Sequence, residues 1–159
     1  MLAHIRQRGF TLLEVLIVIV IMAVLAATII PQFSRHTRDV QENELKLDLQ
    51  TLRTQIELYK LQHGGSYPAG TNNLEQLTKA TDVAGNFSPT GLPDAEHPLG
   101  PYIQGGALPV QPFSGRNTVS LDHGAPGSSP NPTSADTGGW IYRAATGEVF
   151  VDHPHYVNQ

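Results

Sequence analysis

"RGFTLLEVLIVIVIMAVLAATIIP" occupies residues 8–31, and its reading decides the rest of the chain. From Phe10 to Ile30 only Glu14, Thr11 and Thr28 interrupt an apolar run. About 20 residues at 1.5 Å rise cross a hydrocarbon core of roughly 30 Å, so residues 10–30 have the length of a transmembrane helix. Arg6 and Arg8 precede the run, which keeps the N-terminus cytoplasmic and exports the C-terminal part. An ordinary secretory signal has an apolar stretch of about 7–15 residues before a small-residue cleavage site. Val24-Leu25-Ala26 offers such a site weakly, but the run continues to Ile30. Glu14 is the anomaly. An acid at the centre of a membrane helix costs about 2.5–3.5 kcal/mol on insertion scales, less near an end, so it calls for a partner or a function. The apolar run contains no cation, but a cut between Gly9 and Phe10 would make one, a free α-amino group within a helical turn of Glu14 or beside the Glu14 of a neighbouring chain. The alternative is a plain signal anchor whose Glu14 snorkels to the interface.

The chain has 159 residues and a formal net charge of -4, and the residues beyond the apolar segment support one small globular unit. The acidic balance argues against nucleic-acid binding, which shows a basic patch. With no cysteine, a disulfide framework and a thiolate zinc site are both excluded. Residues 1–9 read as a basic leader, 10–30 as the membrane half of a helix, 31–63 as its amphipathic half, and 64–159 as a globular part.

Residues 32–63 lack Gly and Pro, and Leu45, Leu49, Leu52, Ile56 and Tyr59 recur at spacings of four and three, one apolar stripe on a long helix. The stripe is shorter than the three to four heptads of a coiled coil, which favours packing on the chain's own C-terminal domain. Glu42, Glu44, Lys46, Asp48, Arg53 and Glu57 fall mostly off it, as a solvated or subunit-facing surface. Pro31 removes a backbone donor and predicts a kink. Gly64 and Gly65 fit a C-cap, and Pro68 prevents resumption. "NNLEQLTKAT", 72–81, predicts a short helix capped by Asn72 or Asn73. "NTVSL", 117–121, predicts a strand, and "GWIYRAATGEVFVDH", 139–153, a hairpin turning at Ala145-Thr146-Gly147. Between them lies a polar loop. The expected fold is α+β: a long helix packed on a small antiparallel sheet.

Sites for chemistry are sparse: the chain has no Gly-rich phosphate loop, HExxH helix, nucleophile elbow or cysteine nucleophile. Asp152, His153 and His155 in "DHPH" have ligand chemistry, but near a chain end they read as an exposed polar tail. Trp140 and Tyr142 read as sheet residues packed on the helix stripe.

Residues 8–31 resemble the class III signal of type IV pilins and of the pseudopilins of type II secretion systems, with Gly9, Phe10, Thr11, Leu12, Glu14 and Pro31 each in its place in the pattern. The resemblance implies a prepilin peptidase, an integral-membrane aspartic protease that cuts after Gly9 and methylates Phe10. It implies that Glu14 neutralises the Phe10 amino group of an adjacent subunit and sets the stagger, and that the segment around Pro31 can melt on assembly. Tyr67-Pro68 and "GPYIQGGALPVQPFSG", 100–115, are similar to the major-pseudopilin branch. The implied fold is pilin-like. The implied partners are further copies in a helical filament, minor pseudopilins, the prepilin peptidase, an inner-membrane assembly platform and the membrane. The implied place is the bacterial inner membrane, crossed once with the C-terminal part in the periplasm. The branch also implies a Ca²⁺ site in an acidic loop near the C-terminus. Here a hairpin from Trp140 to Asp152 replaces that loop and leaves only Asp122, Asp136 and Asp152 as scattered candidates, so no cofactor is expected. The implied function is a structural one, a pseudopilus subunit that drives protein export and catalyses nothing. Other readings are a surface pilin for adhesion, twitching or DNA uptake, and a membrane-anchored periplasmic binding module that never polymerises.

Overall fold

The computed structural model describes residues 10–132 and 138–158, the side chains of 28–35 excepted. Helix α1 runs from Leu12 to Gln62, α2 from Glu75 to Thr78, and the strands are β1 Val119–Leu121, β2 Trp140–Arg143 and β3 Glu148–Val151. The chain divides into two compact units, Met1–Val40 and Gln41–Gln159.

In the first unit α1 starts at a cap: the Glu14 N–H donates to Thr11 Oγ1 at 3.2 Å and to the Thr11 carbonyl at 3.1 Å. Thr11 thereby satisfies a backbone donor that the first helical turn would leave orphaned. The β-branched residues of the next turns are modest helix formers in water, but a helix is the single-chain solution when no water is available to the backbone. Pro31 lies within the bounds of α1; its side chain, and with it the expected kink, falls outside the described residues. Among the described residues no helix is long and apolar enough to cross a membrane.

The second unit is built on the predicted stripe. Leu45, Leu49, Leu52, Ile56 and Tyr59 are all buried and form one core with Leu74, Leu77, Leu108, Trp140, Tyr142, Val149 and Val151. Each such aliphatic side chain contributes about 1.5–3 kcal/mol on burial. The helix ends as a Schellman motif: Gly64 takes φ 63°, and the Gly65 N–H donates to the Lys60 carbonyl at 2.9 Å. His63, also buried, stacks on Tyr59 with its ring nitrogens 2.8 Å from the Tyr59 carbonyl and 3.0 Å from Thr81 Oγ1.

The helix expected over 72–81 is shorter and differently started. A 3-10 turn at Asn72–Leu74 leads into α2, the N-cap position is Thr71, and α2 ends at Thr78. Neither asparagine caps. Asn72, Asn73 and Leu74 sit at φ between 50° and 59°, and the Asn73 side chain is drawn to the sheet: its Oδ1 accepts the Val119 N–H at 2.5 Å and its Nδ2 donates to the Asn117 carbonyl at 3.0 Å.

The antiparallel sheet is corrected to a mixed one. Its order is β1-β2-β3, with β1 parallel to β2, pairing Val119 with Trp140, and β2 antiparallel to β3, pairing Arg143 with Glu148. A parallel pair needs a crossover of a dozen or more residues, and the segment 122–139 provides the length. The strand expected over 117–121 is confined to Val119–Leu121. The hairpin stands as expected. Gly147, at φ 73°, closes its turn where a Cβ would strike the Tyr67 ring. All of β2 is buried, on both faces.

Candidate functional site

Two places carry the residues singled out by the sequence. The first is the start of α1. Phe10 is 81% exposed, directly before the Thr11 cap, and every large apolar side chain from Phe10 to Leu25 is 44–85% exposed. An apolar surface of that extent marks a membrane or protein contact. Glu14, in the first helical turn, is also exposed. A carboxylate there favours the positive end of the helix dipole, the structural role it has whatever its function. Gly9 lies outside the described residues. The membrane-crossing reading of 10–30 therefore rests on the sequence.

The second place is the sheet, which carries aspartates at its two opposite ends. Asp122 follows β1 and Asp152 follows β3, whereas Asp136 lies outside the described residues. Asp152 is buried, and Ser120 Oγ donates to its Oδ2 at 3.5 Å. Asp122 Oδ1 accepts the Gly124 N–H at 3.1 Å, and its Oδ2 takes Arg143 Nε at 2.9 Å together with Arg143 Nη2. Arg143 is 1% exposed, and its Nη1 donates to Glu148 Oε2 at 2.6 Å. Burial pushes the Asp122 carboxyl up, but hydrogen bonds from Arg143 and Gly124 and the guanidinium charge hold it below the usual range. The Thr146 hydroxyl, then Arg143, does the same for Glu148. Burial works against the charge of Arg143, yet its two carboxylate partners raise its affinity for the proton further. Among the described residues no three acidic or histidine side chains are grouped as a metal site. His153 and His155 stand 5.6 Å apart by ring centroids, and His153 packs with Phe113 and Tyr156.

Arg143 is the residue that sequence reading missed. The signal was available in the hairpin: a turn at 144–147 sets Arg143 opposite Glu148, an opposite-charge cross-strand pair. The extra partner, Asp122, comes from the far side of the crossover and leaves no local trace.

A family model described as the prokaryotic N-terminal methylation motif matches residues 5–30. The type II secretion system core protein G of Klebsiella pneumoniae is 35% identical over 109 residues, covering 68% of this chain and 70% of that protein. Its counterpart in Dickeya chrysanthemi is 34% identical over 109 residues, covering 68% and 64%. That of Escherichia coli (strain K12) is 31% identical over 126 residues, covering 77% of each chain. No solved structure matches. Likeness at this level over more than two thirds of the Klebsiella protein extends well beyond the apolar segment, and the chain belongs to the type II secretion system core protein G family.

Proposed function

We propose that the chain is a pseudopilin, a structural subunit that is processed at the membrane and polymerises into a periplasmic filament serving protein export, and that it catalyses nothing. The observation that carries this reading is the exposed apolar surface of Phe10–Leu25 with one carboxylate, Glu14, set in its first turn. Lipid covers such a surface before assembly, with residues 10–30 spanning the membrane once, and the same helices of other copies cover it afterwards. The repeated contact is heterologous, head to tail, which generates an open helix and not a closed ring. A prepilin peptidase cut after Gly9, with methylation of Phe10, supplies the α-ammonium that Glu14 needs. A carboxylate and a cation brought together in a low-dielectric bundle attract far more strongly than in water, so the Glu14 to Phe10 pair between neighbours fixes the axial stagger. An assembly platform in the inner membrane and minor pseudopilins complete the set of partners. The names of the relatives support this reading over a surface pilus, and the match of residues 5–30 to the methylation motif supports it over a non-polymerising module.

Replacing Glu14 by Ala, with Glu14→Asp as the conservative control, tests it in the native host. The expected outcome is an unchanged amount of subunit in the membrane and loss of the sheared or cross-linked filament fraction for the alanine variant. Normal incorporation of Glu14→Ala into filaments overturns the pairing of Glu14 with Phe10, and absence of a filament fraction for the unaltered chain overturns the filament reading and leaves an anchored module.

A further inference from the structure

One side chain organises the far end of the sheet. Arg143 closes β2 almost wholly out of contact with solvent, at 1% exposure, carrying a charge that is costly to bury unless it is fully paired. It is met by oxygen from three residues on two segments. Nε donates to Asp122 Oδ2 at 2.9 Å, and Nη2 to the same carboxylate oxygen, to the Ser128 carbonyl at 3.0 Å and to Ser128 Oγ at 3.3 Å. Nη1 donates to Glu148 Oε2 at 2.6 Å, and the guanidinium carbon lies 5.4 Å from the Phe150 ring centroid. The ligands are themselves fixed: Asp122 Oδ1 holds the Gly124 N–H, the Thr146 hydroxyl donates to Glu148 Oε2 at 2.6 Å, and Ser128 Oγ donates to the Ala125 carbonyl at 2.7 Å. Two carboxylates, a main-chain carbonyl and a hydroxyl converging on one positive centre make up the type of donor set that a hard divalent cation takes. Here the centre is a guanidinium.

We propose that Arg143 is the built-in structural cation of this domain, so that the loop 122–129 and the β2–β3 hairpin are held together around a side chain and fold without calcium. Two of the three aspartates to which the family resemblance pointed are otherwise engaged, Asp122 in the Arg143 cluster and Asp152 buried against Ser120, and the third, Asp136, lies outside the described residues. The oxygen cage is a cation site whose occupant is covalently part of the chain. Chelators cannot remove it, and its planar fork fixes the direction of each ligand, which a lysine cannot do. The inference stands apart from the filament reading, because it concerns the fold of one chain.

Full-length protein in detergent micelles tests it by thermal unfolding and by hydrogen exchange over 122–129, each in millimolar calcium and in EDTA. For the unaltered chain both readouts are expected to be the same in the two conditions, with midpoints within about 1 °C. Arg143→Lys is expected to speed loop exchange about tenfold, with no response to calcium. Arg143→Ser, which removes the charge and frees the oxygens, is expected to speed it further and to regain several degrees of midpoint in millimolar calcium. A midpoint of the unaltered chain that rises by about 5 °C or more in calcium overturns the proposal, because a divalent ion then does the organising. Loop protection unchanged in Arg143→Ser, or a folded Arg143→Ser indifferent to calcium, overturns it as well. Should Arg143→Ser fail to accumulate, the comparison of the unaltered chain in calcium and EDTA still decides.

Discussion

At position 73 a residue suited to capping a helix serves a different neighbour. Asn73 sits at φ 59° with both side-chain atoms bonded to the chain beside β1, so it stitches the turn before α2 to a strand 46 residues away. Asn73→Ala leaves the Val119 N–H without its partner and puts alanine in the left-handed region, which asparagine tolerates better, a loss of about 2 kcal/mol expected in urea unfolding. Asn73→Gly keeps the backbone and isolates the hydrogen bonds, so its loss is expected to be smaller. A second residue-scale effect concerns acid. Asp122 and Glu148 have folded-state pKa values below their unfolded ones, so the folded chain binds fewer protons than the unfolded chain as pH falls. Their contribution is fully present above the unfolded carboxyl values near pH 4 and is lost as pH drops through the folded values. Glu148, with its side chain 37% exposed, adds the smaller share because solvent screens it. Unfolding midpoints followed from pH 6 downward are expected to fall below about pH 4, and Arg143→Met is expected to flatten that slope.

At the scale of the element, α1 shows how one sequence serves two environments. From Leu12 to Leu25 it is apolar but for Glu14, and its large apolar side chains are exposed, whereas between Leu45 and Tyr59 a single stripe is buried and the charges lie mostly off it. Leu52→Ala removes a fully buried side chain from the stripe and is expected to destabilise the domain by about 2–5 kcal/mol. Leu61→Ala, at a position 78% exposed, is expected to stay within about 0.5 kcal/mol, read by the same unfolding curves. The stripe was legible because a helical period needs only its own residues. β2 was legible in part: Trp140 and Tyr142 alternate as expected, but Ile141 and Arg143 are buried too, and over Arg143 lies the segment after β1, with Asp122 and Ser128 bonded to it. Cover on the second face of a strand comes from a segment distant in sequence, and that is not a local property.

For the whole molecule, the prepilin reading turns on where the mature chain begins. Intact-mass analysis of protein from native membranes is expected to give a start at methylated Phe10, and Gly9→Val is expected to leave an uncut chain starting at Met1 and absent from filaments. A start at Ala27 in the unaltered chain would point to an ordinary signal. By itself the sequence determined the long helix, its stop at Gly64 and Gly65, the stripe that makes the core, the hairpin and the signature at Gly9 to Glu14, because each depends on residues within a few turns or across one tight bend. Only the tertiary structure decided the parallel direction of β1, the partner of Asn73 and the burial of Arg143. Each of these joins segments separated by a long crossover or by the whole width of the sheet domain. There the partner is selected by the best packing of the entire domain, and a local pattern carries no record of it.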